Sequence, residues 1–220
     1  MASDASPLWT SIDAGQGGSH QEVELRLLGD VKGKRVLELG CGTARYSIGF
    51  AKQGATAIGI DASSDALGVA RYLCEREEAR VELRQGDPAD LAFLRAESID
   101  AAFSSRALAA VEDMDRLFRQ VHRVLKPGGP LVFSIPHPVS RVVGPDAGAP
   151  PLVRRSYFDR APVEVRTNGT SSLEYQHTVG DVHGGLTRAG YRVDALVEPE
   201  PDHGPLLPAT LVVRARKEGT

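Results

Sequence analysis

The sequence predicts an α/β fold, a doubly wound and mostly parallel sheet with helices on both faces. Three observations predict it. Val36, Leu37 and Leu39 form a short apolar run that gives way to Gly40–Cys41–Gly42 and then to a helix-like run from Thr43 to about Gln53. Strand, glycine turn and helix in that order make a ligand-binding corner, because glycines let backbone approach a ligand and a helix start offers free N–H groups. Strand-like runs then alternate with amphipathic helical runs as far as Ile135. Finally, 220 residues, 41% of them hydrophobic and 25% charged, suffice for one domain with a sizeable core.

Each element has its own warrant. Residues 1–17 are rich in Ser, Ala, Asp and Gly and are expected to be disordered. Trp9, the single tryptophan, reads as a packing anchor in preference to a cover over a site. Val23, Leu25, Leu27 and Leu28 give a short helix ending at Gly29; His20 at its start reads as solvated. Residues 55–60 form the second strand, closed by Asp61, and Ser63–Ser64–Asp65 cap a helix to about Arg80 with Leu67, Ala70, Leu73 and Cys74 on one face. Val81–Gln85 is a third strand, after which Pro88 opens a short helix. Ser98–Ser104 is the fourth strand. A helix from Asp113 to Leu125 turns Met114, Leu117, Phe118 and Val121 inward, and Lys126–Pro127–Gly128–Gly129 stops it before a fifth strand, Pro130–Ile135. Residues 136–175 are Pro-, Gly- and Arg-rich with weak strand signals at 163–166 and 173–175, and read as a lid insertion. A helix over 178–189, a sixth strand over 191–197, a proline-rich excursion over 199–208 and a seventh strand over 209–216 complete the chain.

What the glycine corner holds depends on its details. A dinucleotide fingerprint needs a third glycine where this chain has Arg45. Glu38, two residues before Gly40, would repel a pyrophosphate and attract an ammonium. Asp61 ends the second strand, where a carboxylate can accept both hydroxyls of a ribose. Dinucleotide enzymes use that device too, so Asp61 alone does not discriminate.

On Glu38, Gly40 and Gly42 the chain resembles the class I S-adenosylmethionine-dependent methyltransferases, of the small-molecule type, with Ala44 in place of the motif's last glycine. Gly86–Asp87, the strand ending at Ser104 and the run Arg123–Val124–Leu125–Lys126–Pro127–Gly128–Gly129 extend the resemblance in order. It implies a Rossmann-like seven-stranded sheet, its last strand antiparallel and inserted beside the sixth. The implied cofactor is S-adenosyl-L-methionine, with S-adenosyl-L-homocysteine as product. Its binding residues would be Glu38, Gly40, Cys41, Gly42, Asp61, Ala62, Gly86, Asp87, Pro88 and Ser104. Asp87 would bond the exocyclic amine of adenine, and Ser104 would lie beside the transferable methyl. The implied activity is methyl transfer to O or N of a small molecule, in specialised metabolism. Many relatives carry a histidine where this chain has Ala109, so proton chemistry assigned there is absent or relocated.

His137, Tyr157 and His177 are the candidate bases, with His183 behind them. Each is weighed against a plain packing or surface role. Arg141, Arg154 and Arg155 fit either recognition of a substrate carboxylate or a solvated loop face. Ser104–Ser105–Arg106–Ala107 lacks the N/D-P-P-Y/F motif of methylases acting on adenine, cytosine or glutamine amino groups. Cysteine and histidine spacing shows no metal site. Net charge of −3 gives no footprint for nucleic acid or an anionic membrane, and two cysteines fit a reduced, cytoplasmic protein acting as monomer or homodimer. Two readings stay open beside methyl transfer: a non-catalytic S-adenosylmethionine-binding protein, and an NAD-dependent oxidoreductase, against which the missing third glycine and the lack of a Tyr-x-x-x-Lys pair count.

Overall fold

The computed structural model describes residues 26–143, 152–167, 170–200 and 207–219. The expectations for residues 1–17, Trp9 and His20, and the middle of the proline-rich excursion, lie outside the described residues.

Seven strands form one sheet: β1 (Arg35–Leu39), β2 (Thr56–Asp61), β3 (Val81–Gln85), β4 (Ala101–Ser105), β5 (Pro130–Pro136), β8 (Tyr191–Val197) and β9 (Thr210–Lys217). Between β5 and β8 in the chain, β6 (Val163–Thr167) and β7 (Thr170–Glu174) form a separate antiparallel hairpin. The sheet order is β3-β2-β1-β4-β5-β9-β8. Strands β1 to β5 pair in parallel, and β9 runs antiparallel to both β5 and β8. The order reverses between β1 and β4, and such a reversal opens a crevice outside the carboxyl ends of the strands.

Alternating side chains of buried strands reach opposite faces, which is how one sheet carries two cores. Leu37, Leu39, Ile58, Ile60, Ala102 and Phe133 face one layer, where helix α3 (Met114–Val124) supplies Leu117, Phe118 and Val121, and α4 (Val179–Arg188) supplies Val182 and Leu186. Val36, Ala57, Ala101, Phe103 and Val132 face the other, closed by Leu28 and by Phe50 of α1 (Arg45–Lys52). There Phe50 meets Phe103 edge-on at 5.4 Å between centroids, and Tyr46 tilts onto Phe103 at 4.9 Å. Helix α2 (Ser64–Arg76) packs Leu67 and Ala70 against Cys41 and Ala44 of the glycine corner.

Helix boundaries follow their caps. Ser63 Oγ accepts the Ala66 N–H, Asp113 accepts the Arg116 N–H, and Thr178 with Asp181 forms a capping box at α4. One expected helix is absent. After β3 the chain makes consecutive turns, because Asp87 Oδ1 takes the Ala89 N–H and Asp90 Oδ1 the Ala92 N–H. Short acidic side chains that bond their own downstream backbone compete with a helix, and Pro88 cannot reverse that outcome. The fourth strand starts three residues later than expected, although Ile99 still bridges to Leu125.

Candidate functional site

The glycine corner is built by backbone hydrogen bonds to the end of β2. The N–H groups of Gly40 and Cys41 both donate to the Ile60 carbonyl, at 2.8 and 3.0 Å. Asp61 takes the next step: Oδ2 accepts the Gly42 N–H at 2.7 Å and Oδ1 accepts the Ser63 N–H at 2.9 Å. Asp61 therefore shapes the loop, and its carboxylate oxygens keep further lone pairs for a ligand. Gly40 has φ +66°, and a Cβ on it would lie 2.2 Å from Ala107 Cβ, so the corner touches the short 3₁₀ turn Ala107–Ala110 that follows β4. Gly59 serves the same fit from below: its added Cβ would meet Cys41 Sγ at 2.8 Å. Burial, then Glu38 and Asp61, pushes the Cys41 thiol far up, so it stays protonated and unreactive.

A cleft of about 520 Å³ opens at this corner. It brings together Gly40, Asp61, Ala62, Asp87 and Pro88 from the residues expected on sequence. The opposite wall is Ala107, Ala110, Val111, Glu112 and Asp113, with Arg116 and Tyr175. Its size and its mixture of apolar wall and few carboxylates suit a small-molecule ligand. Gly42 lies in the loop with its N–H turned to Asp61, and Gly86 donates its N–H to the Asp61 carbonyl at 3.0 Å.

Other expected residues lie elsewhere. Glu38 is 3% exposed and accepts the Ser47 N–H at 2.8 Å as well as the Ser47 hydroxyl, clamping β1 to α1 beneath the corner. It stands outside the cleft lining, because the end of a doubly buried strand turns its side chain under the loop. Ser104 is fully buried and donates to the Leu39 carbonyl at 2.8 Å, which ties β4 to β1. Cys41 is likewise buried.

The three candidate bases also separate. His137 is buried behind β5. Its Nδ1 accepts the Val139 N–H at 3.1 Å, so Nε2 carries the proton and donates to Glu198 at 2.7 Å. Both ring nitrogens are thus engaged away from the cleft. Tyr157 accepts the Val179 N–H at 3.2 Å on its hydroxyl and fixes the start of α4. His177 donates Nε2–H to the Val111 carbonyl at 2.8 Å. Burial lowers its pKa, so the neutral ring carries its lone pair on Nδ1. His177 lines a small pocket with Tyr175 and Arg141, and Tyr175 is also a wall of the main cleft.

Sequence reasoning missed the whole opposite wall of the cleft, Tyr175 and Arg116 included. Arg116 sits in the first turn of α3. Tyr175 arrives because its N–H donates to the Ala109 carbonyl at 2.8 Å, a contact across 66 residues that no local pattern announces.

Residues 37–133 match the family model described as a methyltransferase domain. A ubiquinone biosynthesis O-methyltransferase of Pseudomonas syringae pv. tomato is 37% identical over 105 residues, which is 48% of this chain and 45% of that protein. The chain thus spans about half the length of the curated relatives it matches. A Mesorhizobium loti structure, named an S-adenosylmethionine dependent methyltransferase, superposes with a TM-score of 0.78 at 29% identity, covering 91% of this chain and 98% of that one. A Listeria monocytogenes structure superposes with a TM-score of 0.76 at 26% identity, covering 90% and 96%. In its strand order, its glycine corner and these likenesses, the chain is similar to the class I, S-adenosylmethionine-dependent methyltransferases, and residues 37–133 match their methyltransferase domain.

Proposed function

We propose that the cleft binds S-adenosylmethionine and that the protein transfers its methyl group to an oxygen or nitrogen of a small molecule. The observation that carries this reading is the convergence of Gly40, Asp61, Ala62, Asp87 and Pro88 on one cleft at the reversal of strand order. Asp61 lies where a ribose would sit, and Asp87 one strand further, where an adenine amine would. Glu38 supports the corner through Ser47, a role in which its charge acts on the loop and through the Cys41 environment.

The sulfonium supplies the driving force for transfer when the cofactor is bound. The chain's own part is to orient the acceptor and to keep water from its nucleophile. Ala107, Ala110 and Val111 give the cleft an apolar wall, and Tyr175 completes the lining. Where the nucleophile carries a proton, His177 is the residue we retain as its acceptor. It is neutral through burial, the Val111 carbonyl fixes its tautomer, and it neighbours the cleft across Tyr175. Residues 136–175 are read as the acceptor-side insertion of a single domain, and the enzyme as cytoplasmic. Among the described residues, no helix is long and apolar enough to cross a membrane.

Calorimetry with S-adenosylhomocysteine and with NAD tests the cofactor. Binding of the thioether nucleoside and no binding of NAD is expected; the reverse overturns the reading. Asp61→Ala should weaken cofactor binding by about 1–3 kcal/mol, the cost of stranding buried hydroxyls. Unchanged affinity would remove Asp61 from the site. Binding without methyl transfer to any of a panel of phenols and amines would leave a non-catalytic binding protein.

A further inference from the structure

Strand β3 closes one edge of the sheet. It pairs with β2 on one side, and among the described residues no strand lies on the other. Which backbone groups face that open side follows from one hydrogen bond. Gly86 donates its N–H to the Asp61 carbonyl at 3.0 Å, and an extended chain turns successive residues to alternate sides. Glu82 and Arg84 therefore turn their N–H and C=O to β2, while Val81, Leu83 and Gln85 turn theirs outward. The side chains sort by face of the sheet. Val81 packs against the cluster of Phe50 and Ala57, and Leu83 against Leu67 and Ala70 of α2. Glu82 and Arg84 stand on the opposite face, both exposed. Arg84 pairs with Glu82 at 2.8 Å and lies over the Phe93 ring, 5.6 Å from its centroid.

Exposed strand edges are commonly guarded by charge. Guards of one sign repel a second copy in every register, but β3 carries one charge of each sign, two residues apart. Lay two copies of β3 antiparallel about a two-fold axis at Leu83. Leu83 then meets Leu83 of the second copy, and Val81 meets Gln85. These are the residues whose backbone faces outward, so each pair exchanges both N–H···O bonds. Glu82 of either copy stands opposite Arg84 of the other, at the non-hydrogen-bonded positions where Cα atoms approach to about 4.5 Å. Each of these charges then has the opposite sign beside it, along its own strand and across the axis. A slide of two residues sets Glu82 against Glu82 or Arg84 against Arg84. A slide of one sets outward backbone against inward backbone. A single register satisfies backbone and charge together.

We propose that two copies of this chain join edge to edge through β3, in that register, so that one sheet runs through both. The symmetry is that of an isologous dimer, each copy offering the same self-complementary patch. Five residues a side make a small contact, so the dimer is a weak one that forms at high protein concentration. Its charge pairs are exposed, so salt loosens it. The assembly uses no group of the cleft and stands apart from the methyl-transfer reading.

Sedimentation equilibrium of the full chain, from roughly 1 μM to 1 mM at low ionic strength, tests the proposal. A reversible monomer–dimer equilibrium is expected. Glu82→Arg and Arg84→Glu, each alone, should weaken self-association at least about tenfold, because both cross-strand pairs turn repulsive. Mixed in equal amounts, the two variants should associate as tightly as the unmodified chain or more so, since every cross-strand pair again joins opposite charges. The double variant Glu82→Arg/Arg84→Glu keeps its own pair within the strand and should self-associate as the unmodified chain does. A chain that stays monomeric throughout the series overturns the proposal. So does self-association indifferent to either single reversal, or failure of both the mixture and the double variant to restore it.

Discussion

Gly40, Gly42 and Ala44 all hold left-handed backbone, with φ of +66°, +53° and +60°, yet the three positions differ in what they tolerate. At Gly40 an added methyl would collide with Ala107; at Gly42 nothing lies within 4 Å. At Ala44 the methyl is fully buried beside Cys41, Leu67 and Ala70. Left-handed backbone costs an alanine about 1–2 kcal/mol. Burying one methyl returns about 0.8 kcal/mol, and the smaller entropy of the unfolded chain relative to glycine returns about 0.4–1 kcal/mol. The terms nearly cancel, which is why alanine can stand where the family motif has glycine. From the same arithmetic, Gly42→Ala should cost about 1 kcal/mol in urea unfolding. Gly40→Ala adds overpacking and should cost about 2–4 kcal/mol while weakening cofactor binding. A reversed ranking would mean that the turn at Ala107 yields easily. Glycines 40 and 42 could be read from sequence as a turn. Which of them touches Ala107 could not, because that neighbour is 67 residues away.

Helix α4 is the element whose start was most legible. Thr178 and Asp181 stand three apart before an apolar periodicity, and the structure closes the box: Thr178 Oγ1 accepts the Asp181 N–H at 3.1 Å, and Asp181 Oδ2 accepts the Thr178 N–H at 2.8 Å. Tertiary structure adds Arg160, which donates to Asp181 Oδ1 at 3.0 Å. Thr178→Ala should cost about 0.5–2 kcal/mol, measured by denaturant unfolding. Arg160 first, and then the Thr178 hydroxyl and N–H, hold the Asp181 carboxyl below the usual carboxylate range. A folded-state pKa below the unfolded one gives stability that is complete above about pH 4 and drains away as pH falls below it. The stability gap between the protein and Asp181→Asn should therefore be constant from neutral pH down to about pH 5 and close below pH 4. A gap that widens in acid would contradict this assignment. The segment after Asp87 shows the opposite case: proline at a helix start is only a permission, and two Asx-type bonds used the same backbone for turns.

At the scale of the whole molecule, the last strand decides whether there is a sheet. Strand β9 pairs with β5 from Pro130↔Arg216 to Pro136↔Thr210, and it is also the neighbour of β8 in the sheet. Leu211, Val212, Val213 and Ala215 are fully buried, and Lys217 reaches back to the Leu125 carbonyl at 2.9 Å. A chain ending at Pro208 would leave β5 with an open edge and β8 without a partner, exposing unpaired backbone beside an apolar core. It should fail to unfold cooperatively and should aggregate; a sharp calorimetric transition in that truncation would show that the parallel half folds alone.

The sequence by itself determined the alternation of strands and helices, the caps, the glycine corner and the position of Asp61 and Asp87. These are local facts: periodicity, turn chemistry and offsets along one stretch of chain carry them. Only the tertiary structure decided which side chains share a space. It turned Glu38 to Ser47 and Ser104 to the Leu39 carbonyl, drew His137 to Glu198 and Tyr157 to Val179, and brought Tyr175 to the cleft through Ala109. Sequence distance and spatial distance part company there, since pairing between strands far apart in the chain, not any local preference, chooses the neighbours.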